Sequence, residues 1–520
     1  MSTIVIIGGG IAGLASAALL AREGHNVTVL ERRDALGGRA GTWQHEGFRF
    51  DTGPSWYLMP EVFDHFYRLL DTSADEQLNL VTLDPGYRVY CEGFTEPVDV
   101  SASRAENLDI FEAIEKGAGF KLHYYLESAK EVYELAKMRF LYTTFADIRP
   151  LLRRDVLRRG ARFVSLLIVP LSRFVNAKFH DRRLRQILGY PAVFLGSSPF
   201  NTPSMYHLMS HLDLADGVLY PMGGFGTVID SIAELARREG ATIVTGADVK
   251  RIIVENGAAA GVEYRGPKGQ VLFADADIVV SAADLHFTET RLLEEKHQTY
   301  PQRYWDTRTA GPSALLLYLG VEGALPQLEH HTLLFTEKWE EGFEAIFGKT
   351  TSVPQPASLY VCKPSGVDPS VAPAGSENLF VLVPVPADPT IGHGGDERVE
   401  KLADIVIAQI AEWAAIPDLA DRVTVRRVVA PGDFVDDLNS WKGSALGPAH
   451  TLRQSAFFRA GNRSKKVSGL YYVGGSVIPG IGLPMCLISA EILIKRLRGD
   501  VSTGPLSEPL FATARPAIDA

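Results

Sequence analysis

The chain has few cysteines and no long hydrophobic run. Its three cysteines, Cys91, Cys362 and Cys486, stand far apart among 520 residues and form no C-x-x-C pair. This spacing favours reduced thiols over a disulfide framework. No unbroken apolar stretch reaches the roughly 18 residues of a membrane-spanning helix. An apolar strand follows Met1 almost at once, in place of a secretory leader. We therefore expect a protein that is made and kept in the cytoplasm.

Basic residues are fewer than acidic ones, and the histidines lack the spacing of metal ligands. The chain holds 52 Lys and Arg against 62 Asp and Glu, a net charge of −10, which argues against general affinity for nucleic acid. The 13 histidines show no ligand spacing, and His330 and His331 are adjacent, so they cannot share a helix face. Ser-His-Asp and Cys-His signatures are missing too. We expect no nucleic-acid partner and no metal.

A glycine unit opens the chain. An apolar strand leads into the G-x-G-x-x-G pattern of Gly8, Gly10 and Gly13, a helix follows, and a second strand ends at Glu31. In such units the glycines allow a tight turn, close approach to a pyrophosphate and close helix packing, while the acid accepts ribose hydroxyls. The pattern predicts a dinucleotide site, and Glu31 disfavours the 2′-phosphate of NADP.

A glycine turn follows the ribose acid directly. Gly37 and Gly38 allow the chain to return against the cofactor, and Arg39 offers a fork of donors for oxygen atoms. This turn after the acid is typical of FAD enzymes of the glutathione-reductase-like and amine-oxidase-like groups. We therefore predict FAD, held non-covalently.

A further glycine unit lies near the other end of the chain. FAD is long, and the first unit can hold only its adenine and pyrophosphate end. We interpret Gly474 and Gly475 as a close approach to the ribityl chain, and Gly480, Gly482 and Pro484 as a loop that closes over the flavin ring. The helix that begins near Met485 would point its positive end at that ring.

The patterns between these units predict an α/β fold with interleaved parts. A Rossmann-like FAD-binding domain of the glutathione-reductase/amine-oxidase type combines with an α+β substrate domain and a helical membrane-facing part. The FAD-binding domain should consist of three segments, 1–85, 215–285 and 430–498. The substrate-binding and membrane-associating part should consist of the two segments between them, 86–214 and 286–429. Residues 499–520, rich in Pro, Ala, Ser and Thr, should form a loose tail.

Five stretches together resemble the bacterial-type phytoene desaturases, FAD enzymes that form carotenoids. They are VIIGGGIAGL, the run from Gly37 to Phe66, VFLGSSPFNTPSMYHLM, LYPMGGFGTVIDSI and YYVGGSVIPGIGLPMCLISAE. The resemblance implies that Gly53, Pro54 and Ser55 run beside the flavin ring and that Val249 lies near the adenine. It also implies that residues 194–209 help to wall a substrate tunnel.

The resemblance implies FAD-dependent desaturation of a lipophilic isoprenoid such as phytoene. A hydride would pass to the flavin, a proton would leave the neighbouring carbon, and oxygen or a quinone would accept the electrons. Asp147 and Arg149 match, with a shifted register, an Asp and an Arg of the family and are the candidate catalytic residues. The base and the oligomeric state stay open.

Other reactions are known on this scaffold. The alternatives are a carotenoid isomerase, a later-step carotenoid desaturase or oxygenase, and a retinoid saturase. An FAD amine oxidase and a flavin-binding protein without activity are further alternatives, because a fold fixes the reaction less well than the site does.

One stretch has a net positive charge, opposite in sign to the net charge of the whole chain. Residues 149–185 hold eleven basic and two acidic residues. Within them the apolar run 163–171 is too short to span a bilayer but long enough to lie in its surface. A core helix with solvated basic flanks is the alternative. Because a carotenoid precursor dissolves only in lipid, we expect this stretch to dock the protein on anionic lipid at the cytoplasmic face of a membrane.

Overall fold

The computed structural model describes residues 1–146 and 160–511, and side chains in that part except those of residues 160–163. The strands in these ranges are β1 (Thr3–Ile7), β2 (Asn26–Leu30), β3 (Thr42–His45), β4 (Phe48–Asp51), β5 (Leu80–Thr82), β6 (Tyr87–Cys91), β7 (Val98–Val100), β8 (Leu219–Pro221), β9 (Thr242–Val244), β10 (Asp248–Glu255), β11 (Ala258–Arg265), β12 (Val271–Asp275), β13 (Ile278–Ser281), β14 (Ser313–Glu322), β15 (His331–Phe335), β16 (Leu359–Cys362), β17 (Ser376–Val385), β18 (Val423–Val429) and β19 (Leu470–Tyr472).

The same ranges contain sixteen α-helices. They are α1 (Ile11–Arg22), α2 (Pro60–Leu69), α3 (Ala74–Gln77), α4 (Arg104–Ile114), α5 (Ala118–Ala136), α6 (Gly160–Ile168), α7 (Leu171–Asn176), α8 (Arg182–Gly189), α9 (Met209–Leu214), α10 (Phe225–Arg238), α11 (Leu285–Arg291), α12 (Gln302–Trp305), α13 (Trp339–Phe347), α14 (Glu397–Trp413), α15 (Pro431–Leu438) and α16 (Leu483–Arg498).

A five-stranded parallel sheet forms the first layer of the fold. Its strand order is β19-β13-β1-β2-β9, so it draws on three distant parts of the chain. Helices α10 and α16 both pack against α1, which is buried on nearly all sides because Ala and Leu dominate its sequence. The three parts match the segments predicted for the FAD-binding domain, whose limits stay a prediction.

A seven-stranded sheet forms the second layer. Its order is β18-β14-β17-β16-β15-β6-β7, and its pairs are antiparallel except for β6 with β15. Helix α14 covers one face through residues such as Val399 and Ile407, while the other face carries Tyr318 and Phe380 towards a large cavity. A three-stranded antiparallel sheet, β10-β11-β12, packs beside the parallel sheet.

The last described residues, 499–511, pack on the protein. The rest of the segment predicted as a loose tail, 512–520, lies outside the described residues, so that tail stays a prediction. The ammonium of Lys495 donates hydrogen bonds to the carbonyl oxygens of Ser502 and Gly504, both at 2.7 Å. Leu510 is buried in the core beside α1 and α2, because two leucines interrupt the polar composition of this segment. In the described ranges no helix is both long and apolar enough to cross a membrane.

Candidate active site

A cavity of about 700 Å³ lies between the two large sheets. Ile7 and Leu30, at the carboxyl ends of β1 and β2, line one side of it. Leu316 and Phe380, on the seven-stranded sheet, line another. The carboxyl ends of parallel strands are the usual ligand edge of such sheets. The cavity is therefore where the predicted cofactor should bind.

The first glycine unit has the geometry that its spacing predicts. A Cβ atom on Gly13 would lie 2.0 Å from the carbonyl oxygen of Gly8, so helix α1 can approach β1 only with glycine at this position. Gly8 lines the cavity and has φ +102°, in the region that favours glycine. Gly10 also lines the cavity, and a Cβ atom there would meet nothing closer than 3.8 Å. A side chain at Gly10 would therefore occupy the cavity.

Glu31 is held rigidly at the end of β2. Its buried carboxylate accepts hydrogen bonds from the backbone N–H of Gly9 at 2.6 Å and of Arg33 at 2.8 Å. The residue also lines the cavity, as does Val249 at the start of β10. Because a carboxylate has about four acceptor positions, two remain for ribose hydroxyls.

The turn after Glu31 returns against the first glycine loop. The N–H of Gly37 donates to the carbonyl oxygen of Gly9 at 2.9 Å, and a Cβ atom on Gly38 would lie 3.3 Å from the Cα of Gly10. Arg39 lines the cavity and donates from Nη2 to Ser440 Oγ at 3.0 Å. Its Nε is buried and meets no hydrogen-bond acceptor among the described residues. That donor fits an oxygen atom of a bound cofactor.

The C-terminal glycine unit faces the same cavity. Of the residues that the sequence assigned to the flavin end, five line it, namely Gly474, Gly475, Gly482, Pro484 and Met485. Gly480 is not part of the lining, because its Cβ position faces the ring of His450. Gly482, with φ +118°, precedes α16, which begins at Leu483, two residues before the predicted start. Burial raises the pKa of the Cys486 thiol in the first turn to about 11, and the Arg39 charge acts in the opposite direction.

Arg459 supports this unit and was missed by the sequence analysis, since an isolated arginine carries no motif. The side chain is buried, and burial lowers the pKa of Arg459 to about 10. Its Nε donates to the carbonyl oxygen of Val477 at 3.1 Å, and Nη2 donates to that of Gly475. Nη1 donates to the carbonyl oxygen of Gln454 at 3.2 Å. Arg459 therefore ties the glycine turn to the segment before it.

The segment predicted to lie beside the flavin ring also lines the cavity. Gly53 is required there because a Cβ atom would lie 2.3 Å from the carbonyl oxygen of Arg39, and Pro54 and Ser55 follow it. Ser55 Oγ hydrogen-bonds Tyr360 Oη at 2.7 Å. The Tyr360 hydroxyl in turn hydrogen-bonds Nδ1 of the buried His331 at 2.7 Å. This polar chain joins residues that no local motif connects.

Beyond these groups the cavity lining is mostly aliphatic and aromatic. The predicted tunnel segment contributes several of its residues, namely Phe194, Leu195, Tyr206, Leu208 and Met209. The seven-stranded sheet and α13 contribute others, namely Leu316, Leu333, Phe335, Trp339, Phe343, Ile346, Leu359 and Leu382. The apolar lining continues from the flavin side of the cavity and suits a hydrocarbon ligand.

One buried acid lies directly behind this lining. Asp213 Oδ2 accepts hydrogen bonds from the hydroxyls of Tyr190 at 2.9 Å and Tyr87 at 3.1 Å, and Tyr190 lines the cavity. Burial raises the pKa of Asp213 to about 7, while the two tyrosine hydrogen bonds act in the opposite direction. The sequence did not single out Asp213.

Three possible metal ligands come together at the start of β15 and the end of β16. One ligand atom each of His330, His331 and Cys362 lies within 4.8 Å of the other two, and all three residues are buried. The pairing of β15 with β16 sets His331 opposite Cys362, a contact that sequence spacing does not reveal. The prediction that the protein binds no metal stays a prediction.

Two predictions fall wholly or partly outside the described residues. Asp147 and Arg149 lie outside them, as do the other basic residues up to position 159. Of the remaining basic residues of the stretch, Arg182 pairs with Glu337 at 3.4 Å and Arg183 with Asp181 at 2.9 Å. These two arginines are engaged within the protein, so the basic stretch does not present all its charges to a surface.

Comparisons with known proteins show the family to which the chain belongs. The family model for flavin containing amine oxidoreductase matches residues 11–492. A carotenoid 3,4-desaturase of Haloarcula japonica is 41% identical over 96% of this chain and 98% of its own length. A zeta-carotene-forming phytoene desaturase of Myxococcus xanthus is 34% identical over 95% and 93%.

Solved structures share the fold. An oxidoreductase from Methanosarcina mazei matches with a TM-score of 0.60 and 18% identity, over 95% of this chain and all of its own. The buried Arg39 donor, the anchored Glu31 carboxylate and the open position at Gly10 fit FAD in the cavity. The chain is therefore an FAD-dependent oxidoreductase and belongs to the carotenoid desaturase family within the flavin containing amine oxidoreductases.

Proposed function

We propose that the protein desaturates a long isoprenoid hydrocarbon, a carotenoid precursor of the phytoene type, to a more conjugated carotenoid. The observation that carries the proposal is the single cavity in which both glycine units meet an apolar lining. Such a lining can align a hydrocarbon and excludes water. The names of the two similar desaturases support the same substrate class.

The chain's own contribution is binding and alignment. FAD, when bound, supplies the acceptor for a hydride. We assign its binding to sixteen residues: Gly8, Gly10, Gly13, Glu31, Gly37, Gly38, Arg39, Gly53, Pro54, Ser55, Val249, Gly474, Gly475, Gly482, Pro484 and Met485. The apolar lining holds a CH–CH pair of the substrate beside this site, and one carbon also loses a proton. Asp147 and Arg149 stay candidates for a direct role.

We also propose where the enzyme works and what completes its turnover. A substrate that dissolves only in lipid favours a protein attached to the cytoplasmic face of a membrane. The basic residues of 149–178 would attract anionic lipid, each contributing about 1 kcal/mol. Either oxygen or a quinone would accept the electrons. The three segments of the parallel sheet would form the FAD-binding domain.

Expression in hosts that accumulate different carotenoid precursors tests the reaction. We expect the pigment spectrum to shift to longer wavelength in at least one host, because desaturation lengthens the conjugated system. The Gly10→Val variant serves as the control, since it should fold without retaining FAD. Unchanged pigments in every host, with FAD-loaded protein present, would contradict the proposal. A changed isomer ratio without added double bonds would indicate an isomerase.

A further inference from the structure

The three possible metal ligands form one buried cluster. His330, His331 and Cys362 are 4%, 0% and 2% exposed, and one ligand atom of each lies within 4.8 Å of the other two. His331 begins β15 and Cys362 ends β16, while His330 directly precedes β15. We call these three residues the His–His–Cys cluster. They meet because antiparallel pairing sets His331 opposite Cys362.

The imidazole rings of the cluster have nitrogen atoms without hydrogen-bond partners. Among the residues that the structure describes, both ring nitrogens of His330 and Nε2 of His331 meet no partner. Buried polar atoms in proteins are rarely left unpaired, so three such atoms in two neighbouring rings require an explanation. A neutral imidazole has one nitrogen lone pair, which suits a metal ion. Each ring therefore offers one ligand atom to an ion placed between the rings and Cys362.

Aromatic side chains hold the two imidazole rings in place. His331 stacks on Trp56, with ring centroids 4.3 Å apart and 9° between the ring planes, and its Nδ1 hydrogen-bonds the Tyr360 hydroxyl at 2.7 Å. The ring of His330 lies against that of Tyr220, with centroids 4.5 Å apart. The ring orientation of metal-binding histidines is usually set by partners outside the metal site. These contacts limit the rotation of both rings and so suit a fixed coordination geometry.

A small void lies beside Cys362. Its volume is about 10 Å³, and Asp51, Ser55 and Tyr220 also line it. This volume is room for roughly one water molecule. Ser55 lines the large cavity as well. The void therefore gives the cluster a position for a water ligand next to the cavity.

We propose that the His–His–Cys cluster binds one Zn²⁺ ion through one nitrogen of each imidazole, the Cys362 sulfur and a water molecule. Zinc takes sulfur and nitrogen ligands in four-coordinate sites, and three protein ligands with one water form a known type of site. Because zinc binds the thiolate, Cys362 gives up its proton to solvent when the ion binds. The ion would join β15 to β16 and, through the hydrogen bonds of Tyr360, support Ser55 beside the cofactor site.

This inference opposes the expectation of no metal, and zinc analysis decides between the two. The expectation rested on the spacing of histidines along the chain, and spacing does not reveal a cysteine that strand pairing brings beside them. The inference does not depend on the proposed reaction, since the cluster would bind zinc in the absence of any carotenoid.

Zinc content of the full-length, FAD-loaded protein tests the inference. The parent and the Cys362→Ala and His330→Gln variants are stripped with a chelator, incubated with Zn²⁺, desalted and analysed by inductively coupled plasma mass spectrometry. We expect about one zinc per chain in the parent and at least about tenfold less in either variant, because each variant lacks a ligand. Tyr360→Phe should keep the ligands but bind zinc roughly tenfold more weakly, because it loses a contact that orients His331.

A matched control lies in the same sheet. Cys91, on β6, is 5% exposed and pairs with Phe335 of β15, so Cys91→Ala removes a buried thiol outside the cluster. This variant should hold as much zinc as the parent does. Zinc should also raise the midpoint of thermal unfolding of the parent and of Cys91→Ala, but not that of Cys362→Ala.

X-ray absorption at the zinc edge of the loaded parent identifies the ligands without any variant. We expect one sulfur at about 2.3 Å and nitrogens at about 2.0–2.1 Å from the ion. A spectrum with nitrogen and oxygen ligands only, or a parent that retains no more zinc than Cys362→Ala, would overturn the inference. Because the spectrum needs only the parent, it decides the question even if Cys362→Ala does not fold.

Discussion

Arg459 lies fully inside the protein and donates a hydrogen bond to the carbonyl oxygen of Gly475. This contact connects a buried charge to the turn assigned to the flavin end of the cofactor. Replacing the side chain leaves several carbonyl oxygens without donors, each a cost of about 1–3 kcal/mol.

We predict that Arg459→Gln lowers the free energy of unfolding by about 3 kcal/mol and releases FAD more readily. Arg459→Lys should recover part of the stability, because it keeps the charge but reaches fewer carbonyl oxygens. Thermal unfolding and the flavin absorbance after dialysis measure the two effects. A Gln variant as stable and as yellow as the parent would show that the turn does not depend on Arg459.

Two glycines of the first unit should respond differently to the same substitution. Gly10→Val should fold normally but lose FAD, because its Cβ position is open and its side chain would enter the cavity. Gly13→Val should unfold or aggregate, because its Cβ would lie 2.0 Å from Gly8 O. Circular dichroism and bound flavin distinguish these outcomes. A yellow, fully loaded Gly10→Val protein would contradict the cofactor assignment.

Gly482→Val should reduce turnover at least about tenfold. This loss of activity should exceed what the lower stability of the variant accounts for. The backbone at Gly482 has φ +118°, which strains any L side chain at a cost of about 1–3 kcal/mol. Gly482 also lines the cavity at the start of α16. Gly499→Val at the other end of α16 is the matched control, since φ is +70° and the Cβ position is open. If Gly482→Val and Gly499→Val have equal thermal stability and lose similar activity, Gly482 has no specific role in the site.

The stability of the protein should depend on pH through Asp213. Its pKa is about 7 in the folded protein and near 3.8 when unfolded, so the folded state binds the proton more tightly. The contribution is complete below about pH 4 and is lost as pH rises to about 7. The stability of the parent relative to Asp213→Asn should therefore fall across this window, by about 4 kcal/mol. A stability difference between the two proteins that is constant with pH would refute the assignment.

The glycine units were predictable because their geometry is local. Gly8, Gly10 and Gly13 act within one turn and one helix, so their spacing alone indicates the close contact between α1 and β1. The contact that caps helix α10 was not predictable, because Asp51, whose carboxylate accepts a hydrogen bond from the N–H of Phe225 at 2.7 Å, lies 174 residues away.

The rest of the site depends on tertiary topology. Tyr360 reaches Ser55 across 305 residues of sequence, and His331 meets Cys362 only through strand pairing. No periodicity encodes such contacts. The packing of the described residues 499–511 was not predictable for a similar reason, since the burial of Leu510 depends on the surface of α1 and α2 rather than on composition.

Anaerobic mixing of the FAD-loaded protein with a phytoene-type carotenoid precursor in vesicles tests the central claim most directly. We predict that the flavin absorbance is bleached while an equal amount of a more conjugated carotenoid forms, and that Gly10→Val protein supports neither change. A flavin that no carotenoid precursor bleaches, but that an amine such as putrescine does, would contradict the account.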